Sequence, residues 1–439
     1  MSFKNLSTTR QKSILQTPAL LVLGAGIVSA LHTGKVPAAL SLIQAEFGMS
    51  LVMAGTLISL LQMSSACIGL FGGALVDRFG HARCMCLGLV LLGAGSVWGG
   101  LTEGAYALLA SRMLESVGLV LTVLPGPSLL RQQVAPARLM VWLGWWSAYM
   151  PLGMGVGLLL VPLAPSWRVA WFTIGAISVG WAVWVTWVLL RPQARLARLH
   201  AGVRAAAPLV PETVATLIPK SILNNARRTI TNWGPWLLAL GFCFYAAQFM
   251  GVFGFLPTIY KEAGVPAALA GVLTSMGVLA NAWGNVRGGK LAQAGCPIDR
   301  TILKSALVMI FTAWLIFAAP LNLLLATALD GTQATQSSFW LRYGAVLWFS
   351  SAAGRIPASF FNLSNRFAPG PEVVATTVGF MQQGGAVGQL IAPVLIAWVV
   401  THTGTWSYTW WVTGTFSLVL MGFALGIGRE LKRRSIIAK

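Results

Sequence analysis

The sequence has few acidic side chains. Its 439 residues contain only 10 Asp and Glu against 30 Lys and Arg, and charged residues make up 9% of the chain. Hydrophobic residues reach 56%, a composition from which a water-soluble surface cannot be assembled. We therefore expect a protein that spans a membrane many times.

Cysteine is also scarce, and nothing in the sequence resembles a catalytic or cofactor-binding arrangement. The five cysteines are scattered and odd in number, so they predict no disulfide framework. Cys84 and Cys86 lack further ligands, so no metal site is expected. No GxxxxGK[ST] loop for nucleotide phosphates and no nucleophile with a matching base stands out in the sequence. The sequence thus predicts neither an enzyme nor a cofactor.

Long apolar runs recur along the chain. Each is long enough to cross a hydrocarbon core of about 30 Å as a helix, and too long for the alternating strands of a membrane barrel. We predict an all-α membrane protein with twelve transmembrane helices. The predicted spans are 18–43, 51–76, 84–101, 105–130, 138–162, 168–190, 234–259, 266–293, 302–328, 338–363, 372–400 and 406–428.

The distribution of positive charge predicts the orientation of these spans. If the N-terminus is cytoplasmic, only Arg168, Lys261 and Arg342 fall in loops on the opposite side, whereas most Lys and Arg residues lie inside. Both termini are therefore predicted to be cytoplasmic, in a bacterial-type inner membrane. Topology and attraction to anionic lipids explain the net charge of +20, so a nucleic-acid partner is not expected.

A basic, proline-bearing segment divides six predicted spans from six. We predict a cytoplasmic tail over 1–17, a six-helix bundle over 18–190, a linker over 191–233, a second bundle over 234–428 and a cytoplasmic tail over 429–439. The linker is either a tether alone or also carries a short amphipathic helix. Gly144 and Gly153 in span five recur with the same separation as Gly379 and Gly388 in span eleven, which indicates an internal repeat.

The segment GALVDRFGHAR, at Gly73 to Arg83, joins spans two and three. It resembles the G-x-L-a-D-R-x-G-R-R signature of the major facilitator superfamily. RMLESVG in span four and GWWSAYMPLGMGVG in span five are also similar to segments of that family. The combination of TGKVPAAL in span one with WSAYMPLG in span five particularly resembles the cyanate and nitroimidazole permease group. The resemblance implies two pseudo-symmetric six-helix bundles that carry a solute by alternating access as secondary transporters, in a self-sufficient monomer.

The same segment holds the residues of a predicted conformational latch: Gly73, Asp77, Arg78, Gly80 and Arg83. Asp77 lies where a carboxylate can accept hydrogen bonds from free amides at the start of a helix or pair with a neighbouring arginine. We expect these contacts to hold one conformation and to open in each cycle. The alternative is a topology signal at the membrane surface with no gating role.

Few charges are expected deep inside the membrane: Lys35, Arg112, Glu115 and Arg355. Arg112 and Glu115 are three residues apart and are expected to neutralise one another, which leaves Lys35 and Arg355 without partners. At about 16 Å from Arg366 along its helix, Arg355 is expected near the middle of the membrane. Two unpaired cations favour a small anionic substrate. Alternatively, they are structural and bind backbone carbonyls.

Other polar residues in the spans complete the predicted site. Glu115 and His32 are the candidates for proton coupling, although a histidine inside a helix is more often structural. Lys35, Arg112 and Arg355 are the charged candidates for substrate binding, and the uncharged ones are Tyr149, Tyr245, Gln248 and Gln382. We expect transport of a small anion, with the proton as the candidate coupling ion. The alternative is a proton-driven efflux antiporter for a drug or a metabolite, and the sequence does not decide between uptake and export.

Overall fold

The computed structural model describes residues 17–190, 220–327, 330–370 and 373–437. These residues are helical throughout most of their length. The predicted N-terminal tail and residues 191–219 of the predicted linker lie outside the described residues.

The N-terminal half begins with one long helix and continues in shorter ones. Its helices are α1 (Thr17–Phe47), α2 (Leu51–Ser59), α3 (Met63–Phe79), α4 (His81–Leu101), α5 (Ala105–Val123), α6 (Gly126–Gln133), α7 (Pro136–Ser147), α8 (Tyr149–Leu160) and α9 (Trp167–Val185). A 3₁₀ turn at Leu60–Gln62 joins α2 to α3 within the second predicted span.

The C-terminal half is preceded by α10 (Lys220–Ile230), a short helix with Arg227 and Arg228 in its last turn. The helices of this half are α11 (Trp233–Phe253), α12 (Leu256–Glu262), α13 (Ala267–Gln293), α14 (Ile298–Phe317), α15 (Leu321–Leu325), α16 (Gly331–Phe367), α17 (Val374–Thr403) and α18 (Thr409–Ile437).

Side-chain caps fix several helix starts. The Ser50 hydroxyl accepts a hydrogen bond from the Met53 amide at α2, and the Ser166 hydroxyl does the same for Val169 at α9, each at 3.2 Å. Asp330 accepts from the Gln333 amide at 2.7 Å and starts α16. Each cap satisfies an amide that has no partner within its helix.

Among the described residues, ten helices or continuous helix pairs are long and apolar enough to cross a membrane, or eleven if the bent pair α7 and α8 forms one span. That pair bends by 43° at Ala148, because Pro151 has no amide to donate to the preceding turn. The remaining predicted span, 338–363, lies within α16, whose 37 residues include Arg342, Arg355 and many hydroxyl and amide side chains. The predicted all-α membrane fold is confirmed.

The ninth predicted span, 302–328, contains a break that was not expected. The run 302–328 divides after Phe317, and the short α15 follows Pro320. Proline disfavours a helical conformation in the residue before it and cannot donate a backbone hydrogen bond, so α14 ends at this point.

The internal repeat predicted from glycine spacing has a structural counterpart. A Cβ at Gly153 of α8 would clash with the backbone oxygen of Ile27 in α1, and a Cβ at Gly388 of α17 would clash with that of Cys243 in α11. In each half, the fifth predicted span therefore approaches the first span closely at the equivalent glycine. Small residues permit such close backbone contact between helices in a membrane.

Among the described residues, the most extensive contacts between the halves lie along two seams. Along one, Gly55 and Gly69 of α2 and α3 lie against Pro393 and Gln383 of α17. Along the other, α8 packs on α13, where the Ser275 hydroxyl donates to the Gly155 carbonyl at 2.8 Å. Between these seams the halves separate and leave a cavity.

Candidate functional site

Four ionisable side chains meet inside the N-terminal bundle. His32 and Lys35 lie one turn apart on α1, and Arg112 and Glu115 lie one turn apart on α5. All four are fully buried. Charged groups so far from water must be paired to be tolerated, so their hydrogen bonds determine what the cluster can do.

Lys35 is the best-satisfied member of this cluster. Its Nζ donates to Glu115 Oε1 at 2.5 Å and to Ser96 Oγ at 2.7 Å, and it lies 3.2 Å from His32 Nδ1. It also lies 4.7 Å from the centroid of the Trp171 ring. An ammonium has three donors and no acceptor, so every one of its protons has a partner.

The tautomer of His32 follows from this arrangement. Because the Lys35 ammonium can only donate, His32 Nδ1 is the acceptor, and its Nε2 carries the proton that points to Ser178 Oγ at 2.9 Å. The Ser178 hydroxyl in turn donates to the Ile174 carbonyl. His32 is thus held as a neutral imidazole between a cation and a hydroxyl.

Glu115 binds both cations of the cluster. Its Oε2 accepts from Arg112 Nη1, while its Oε1 accepts from Lys35. The predicted Arg112–Glu115 pair is present. The expectation that Lys35 lacks a partner is wrong, because α1 and α5 bring it to the same carboxylate, a contact between residues 80 positions apart in the chain.

One positive charge remains in excess within this cluster, since Lys35 and Arg112 share a single carboxylate. The Nε and Nη2 atoms of Arg112 are buried and have no hydrogen-bond partner in the part of the chain that the structure describes. The interior of the N-terminal bundle therefore has spare donor capacity and a net positive field.

The main cavity lies between the two bundles. Helices of both halves line it, with aromatic walls from Trp146, Phe242 and Phe361. The polar lining consists of hydroxyl and amide side chains: Gln62, Ser65, Ser147, Tyr149, Tyr245, Asn281, Asn285, Gln382, Gln383 and Gln389. None of the lining residues that the structure describes is charged. The cavity can offer hydrogen bonds and aromatic contacts to a solute.

The predicted substrate residues divide between this cavity and other places. Tyr149, Tyr245 and Gln382 line it. Gln248 does not, because its amide donates to Ser417 between α11 and α18. Lys35 and Arg112 lie in the buried cluster, with Arg112 about 10 Å along α5 from the lining residue Leu119.

Arg355 also lies outside the lining. It packs against Gly288 of α13, where a Cβ would come within 2.9 Å of the Arg355 Cα. The structure therefore does not bring Lys35 and Arg355 together as two facing cations across the cavity.

Several lining residues were missed in the sequence. Gln62 is 5% exposed, and within the described ranges its Nε2 and the side-chain oxygens of Asn285 and Gln389 have no hydrogen-bond partner. A weak signal existed for Asn285, one turn after Asn281, and for Gln389, two turns after Gln382. Gln62 gave none, because a lone amide inside an apolar run also serves to join helices.

The predicted latch lies at a tight connection. Gly80 has φ +88°, a conformation that favours glycine, and it is the sole residue between α3 and α4. Arg78 and Arg83 are exposed. The side chain of Asp77 and the surroundings of Gly73 lie outside the described residues, although both positions are within α3.

Comparison with known proteins agrees with this architecture. The cis,cis-muconate transport protein of Acinetobacter baylyi is 26% identical over 393 residues, covering 84% of this chain and 87% of the relative. A probable sulfoacetate transporter of Cupriavidus necator is 21% identical over 397 residues, covering 87% of this chain and 86% of the relative.

A solved structure is also similar. It is a bacterial homologue of the human lysosomal transporter Spinster in an inward-facing, unoccupied conformation, with a TM-score of 0.68 and 13% identity, covering 94% of this chain and 97% of the other. A model of the Major Facilitator Superfamily matches residues 21–382. These matches indicate a transporter rather than an enzyme, and the chain belongs to the Major Facilitator Superfamily.

Proposed function

We propose that this protein is a secondary transporter that carries a small organic anion by alternating access. The observation that carries the proposal is the cavity between the two bundles, lined by amide and aromatic side chains from both. A solute held there contacts both halves, so rocking of one bundle against the other exposes it to each side in turn.

Charge and relatedness support an anion. The excess positive charge of the buried cluster acts on the cavity through an interior of low dielectric. The unpartnered Nε2 of Gln62 and the Tyr149 hydroxyl supply donors to a carboxylate or sulfonate. The two relatives are named for organic acids, which favours an organic anion over the smaller cyanate of the permease group.

Proton coupling is the second part of the proposal. Among the described residues, Glu115 is the only carboxylate that holds Lys35 and Arg112, so its protonation releases both cations at once. His32, whose Nδ1 lies 3.4 Å from Glu115 Oε1, is placed to relay that proton. Both residues thereby retain the role expected from the sequence, and the Gly73, Asp77, Arg78, Gly80 and Arg83 segment retains its proposed role as a latch.

The positive-inside pattern supports an inner-membrane location with both termini cytoplasmic. The amphipathic α10 supports a linker that lies against the inner surface. We propose that the monomer transports, because each wall of the cavity comes from the same chain.

Uptake into proteoliposomes tests the proposal. Labelled cis,cis-muconate, sulfoacetate and cyanate are offered with and without an inward proton gradient. We expect accumulation of an organic anion that responds to the gradient, and at least a tenfold loss in Gln62→Leu and Tyr149→Phe. Glu103→Gln, an exposed acid next to the start of α5, is the matched control. Failure of the folded protein to move or exchange either organic anion would refute the proposal.

The uncharged lining favours one alternative: proton-driven export of a neutral drug or metabolite. Thermal shift measurements distinguish the two. Under the anion proposal, organic acids raise the melting temperature and neutral aromatic compounds of similar size do not. The reverse pattern would support the alternative.

A further inference from the structure

Arg287 on α13 and Arg355 on α16 lie where these two helices pack together, away from the cavity. The two helices approach closely because Gly284 and Gly288 of α13 face the α16 backbone, and a Cβ at Gly288 would come within 2.9 Å of the Arg355 carbonyl oxygen. Arg287 precedes Gly288 in the chain. The two arginines therefore extend from adjacent turns of two packed helices.

Arg355 is exceptional among the arginines that the structure buries or half-buries. Within the described ranges the others donate to an acceptor: Arg112 to Glu115, Arg168 to Glu46, Arg228 to the Pro369 carbonyl, Arg342 to the Ile316 and Ala319 carbonyls, and Arg434 to Glu430. The half-buried Arg355 has neither an ion pair nor a side-chain hydrogen bond in that part of the chain, and its Nε is buried without a partner. A buried donor without an acceptor is unfavourable, and it can donate to an acceptor group that binds there.

Arg287 adds a second positive charge near Arg355. It directly precedes Gly288, which packs on the Arg355 backbone, and its guanidinium lies 4.7 Å from the centroid of the Trp283 ring, with no acid paired to it among the described residues. Two like charges at neighbouring positions of packed helices repel one another, and an anion bound between them removes that repulsion.

The chemistry of the pair specifies the class of anion. Guanidinium groups bind the oxygens of phosphate in a forked, bidentate geometry, and two of them can hold one phosphate between them. Trp283 is 53% exposed and Arg287 is exposed, so the pair opens onto the outer surface of the bundle. Arginine with tryptophan is typical of the zone where lipid head groups meet a membrane protein.

The depth of the pair is compatible with a head group. Gly288 lies five residues before the end of α13, about 8 Å along the helix. α16 has 37 residues, about 55 Å, and so is much longer than a hydrocarbon core of about 30 Å. Arg355 therefore need not be at mid-membrane, as its distance from Arg366 along the helix suggested.

We propose that Arg287 and Arg355 bind the phosphate of an anionic lipid head group between α13 and α16. The bound phosphate satisfies the free donors of Arg355 and removes the repulsion between the two arginines. Because α13 also lines the cavity through Asn281 and Asn285, and α16 through Pro357 and Phe361, the lipid braces one wall of the cavity. This site is independent of the solute that the cavity carries.

The test uses the full-length protein, purified in detergent. Phosphatidylglycerol, phosphatidylcholine or inorganic phosphate is then added to separate samples. We expect phosphatidylglycerol to raise the melting temperature by about 3 °C or more and to be retained in native mass spectra. Arg287→Gln should lose most of this shift. Lys290→Gln, an exposed cation three residues further along α13, is the matched control and should keep it.

Arg355→Lys keeps the charge but not the fork, so it should fold and retain lipid more weakly than the wild type. Arg355→Gln should abolish retention of the lipid. If that variant does not fold, Arg287→Gln, at an exposed position, still tests the site. An unchanged response in Arg287→Gln, or an equal loss in Lys290→Gln, would overturn the site. An equal shift with inorganic phosphate would overturn the lipid as its source. Transport measurements are not needed for any of these outcomes, so failure here is separate from failure of the proposed function.

Discussion

The two bundles follow one backbone plan but bury different chemistry. In the N-terminal bundle, α1 and α5 bury His32, Lys35, Arg112 and Glu115 in one bonded cluster. The corresponding helices of the C-terminal bundle, α11 and α16, contribute uncharged groups to the interior and place Arg355 at a helix interface instead. The two halves therefore share the packing of their helices and differ in where their charged side chains lie.

The polar cluster of the C-terminal bundle shows the contrast. Asn281 donates to the Ser350 carbonyl at 3.3 Å, and Asn285 donates to the Asn281 side-chain oxygen at 2.9 Å. These bonds join neutral groups, and removal of one leaves an unpaired dipole. Removal of a partner in the N-terminal cluster leaves a buried charge, which costs more.

The largest expected effect comes from Glu115→Gln. Lys35 and Arg112 would then be buried without a carboxylate, and we expect a loss of about 3–5 kcal/mol of stability. Thermal unfolding in detergent measures it, with the exposed Glu103→Gln as control. A second removal, Lys35→Met in the Glu115→Gln background, should recover part of the loss. Equal stability of Glu115→Gln and the control would mean that the cluster is not an interdependent unit.

The packing shared by the bundles is tested by Gly153→Val and Gly388→Val. Each added side chain meets a backbone oxygen of the facing helix, Ile27 in one half and Cys243 in the other. We expect similar losses of about 1–3 kcal/mol in the two variants. Gly422→Val, at a position with open space around the glycine, is the control. A large loss in only one variant would break the equivalence of the halves.

A smaller effect is expected for Asn281→Leu in the C-terminal bundle. It removes neutral hydrogen bonds to Ser350 and Asn285, and we expect a loss of about 1 kcal/mol, well below that of Glu115→Gln. The same thermal assay applies. A loss as large as that of Glu115→Gln would show that the neutral hydrogen bonds contribute as much stability as the charged cluster.

The smallest effect on transport is expected for Gln248→Leu. Its amide donates to Ser417 and it does not line the cavity, so the variant should transport at a rate within about twofold of the wild type, although with lower thermal stability. Tyr245→Phe, three residues earlier and facing the cavity, is the companion variant and should lower transport more. Loss of substrate affinity in Gln248→Leu alone would return that residue to the site.

Much of the fold was predictable because membrane spans are local features. A run of about 20 apolar residues suffices to predict a helix, and Gly153 and Gly388 revealed the repeat through spacing alone. The break after Phe317 was not predicted, since the leucine-rich α15 on the far side of Pro320 keeps the run apolar. Of the predicted site residues, Tyr149, Tyr245 and Gln382 do line the cavity.

The sequence by itself determined that the chain is a helical membrane protein, that it repeats, and that few ionisable groups lie within its spans. Only the tertiary structure decided the partners of those groups. Glu115 lies three residues from Arg112 but 80 from Lys35, and the packing of α1 on α5 lets it accept hydrogen bonds from both. Spacing within a helix predicts contacts one turn apart. Contacts between helices depend on their rotation and approach, which the packing of the whole bundle fixes.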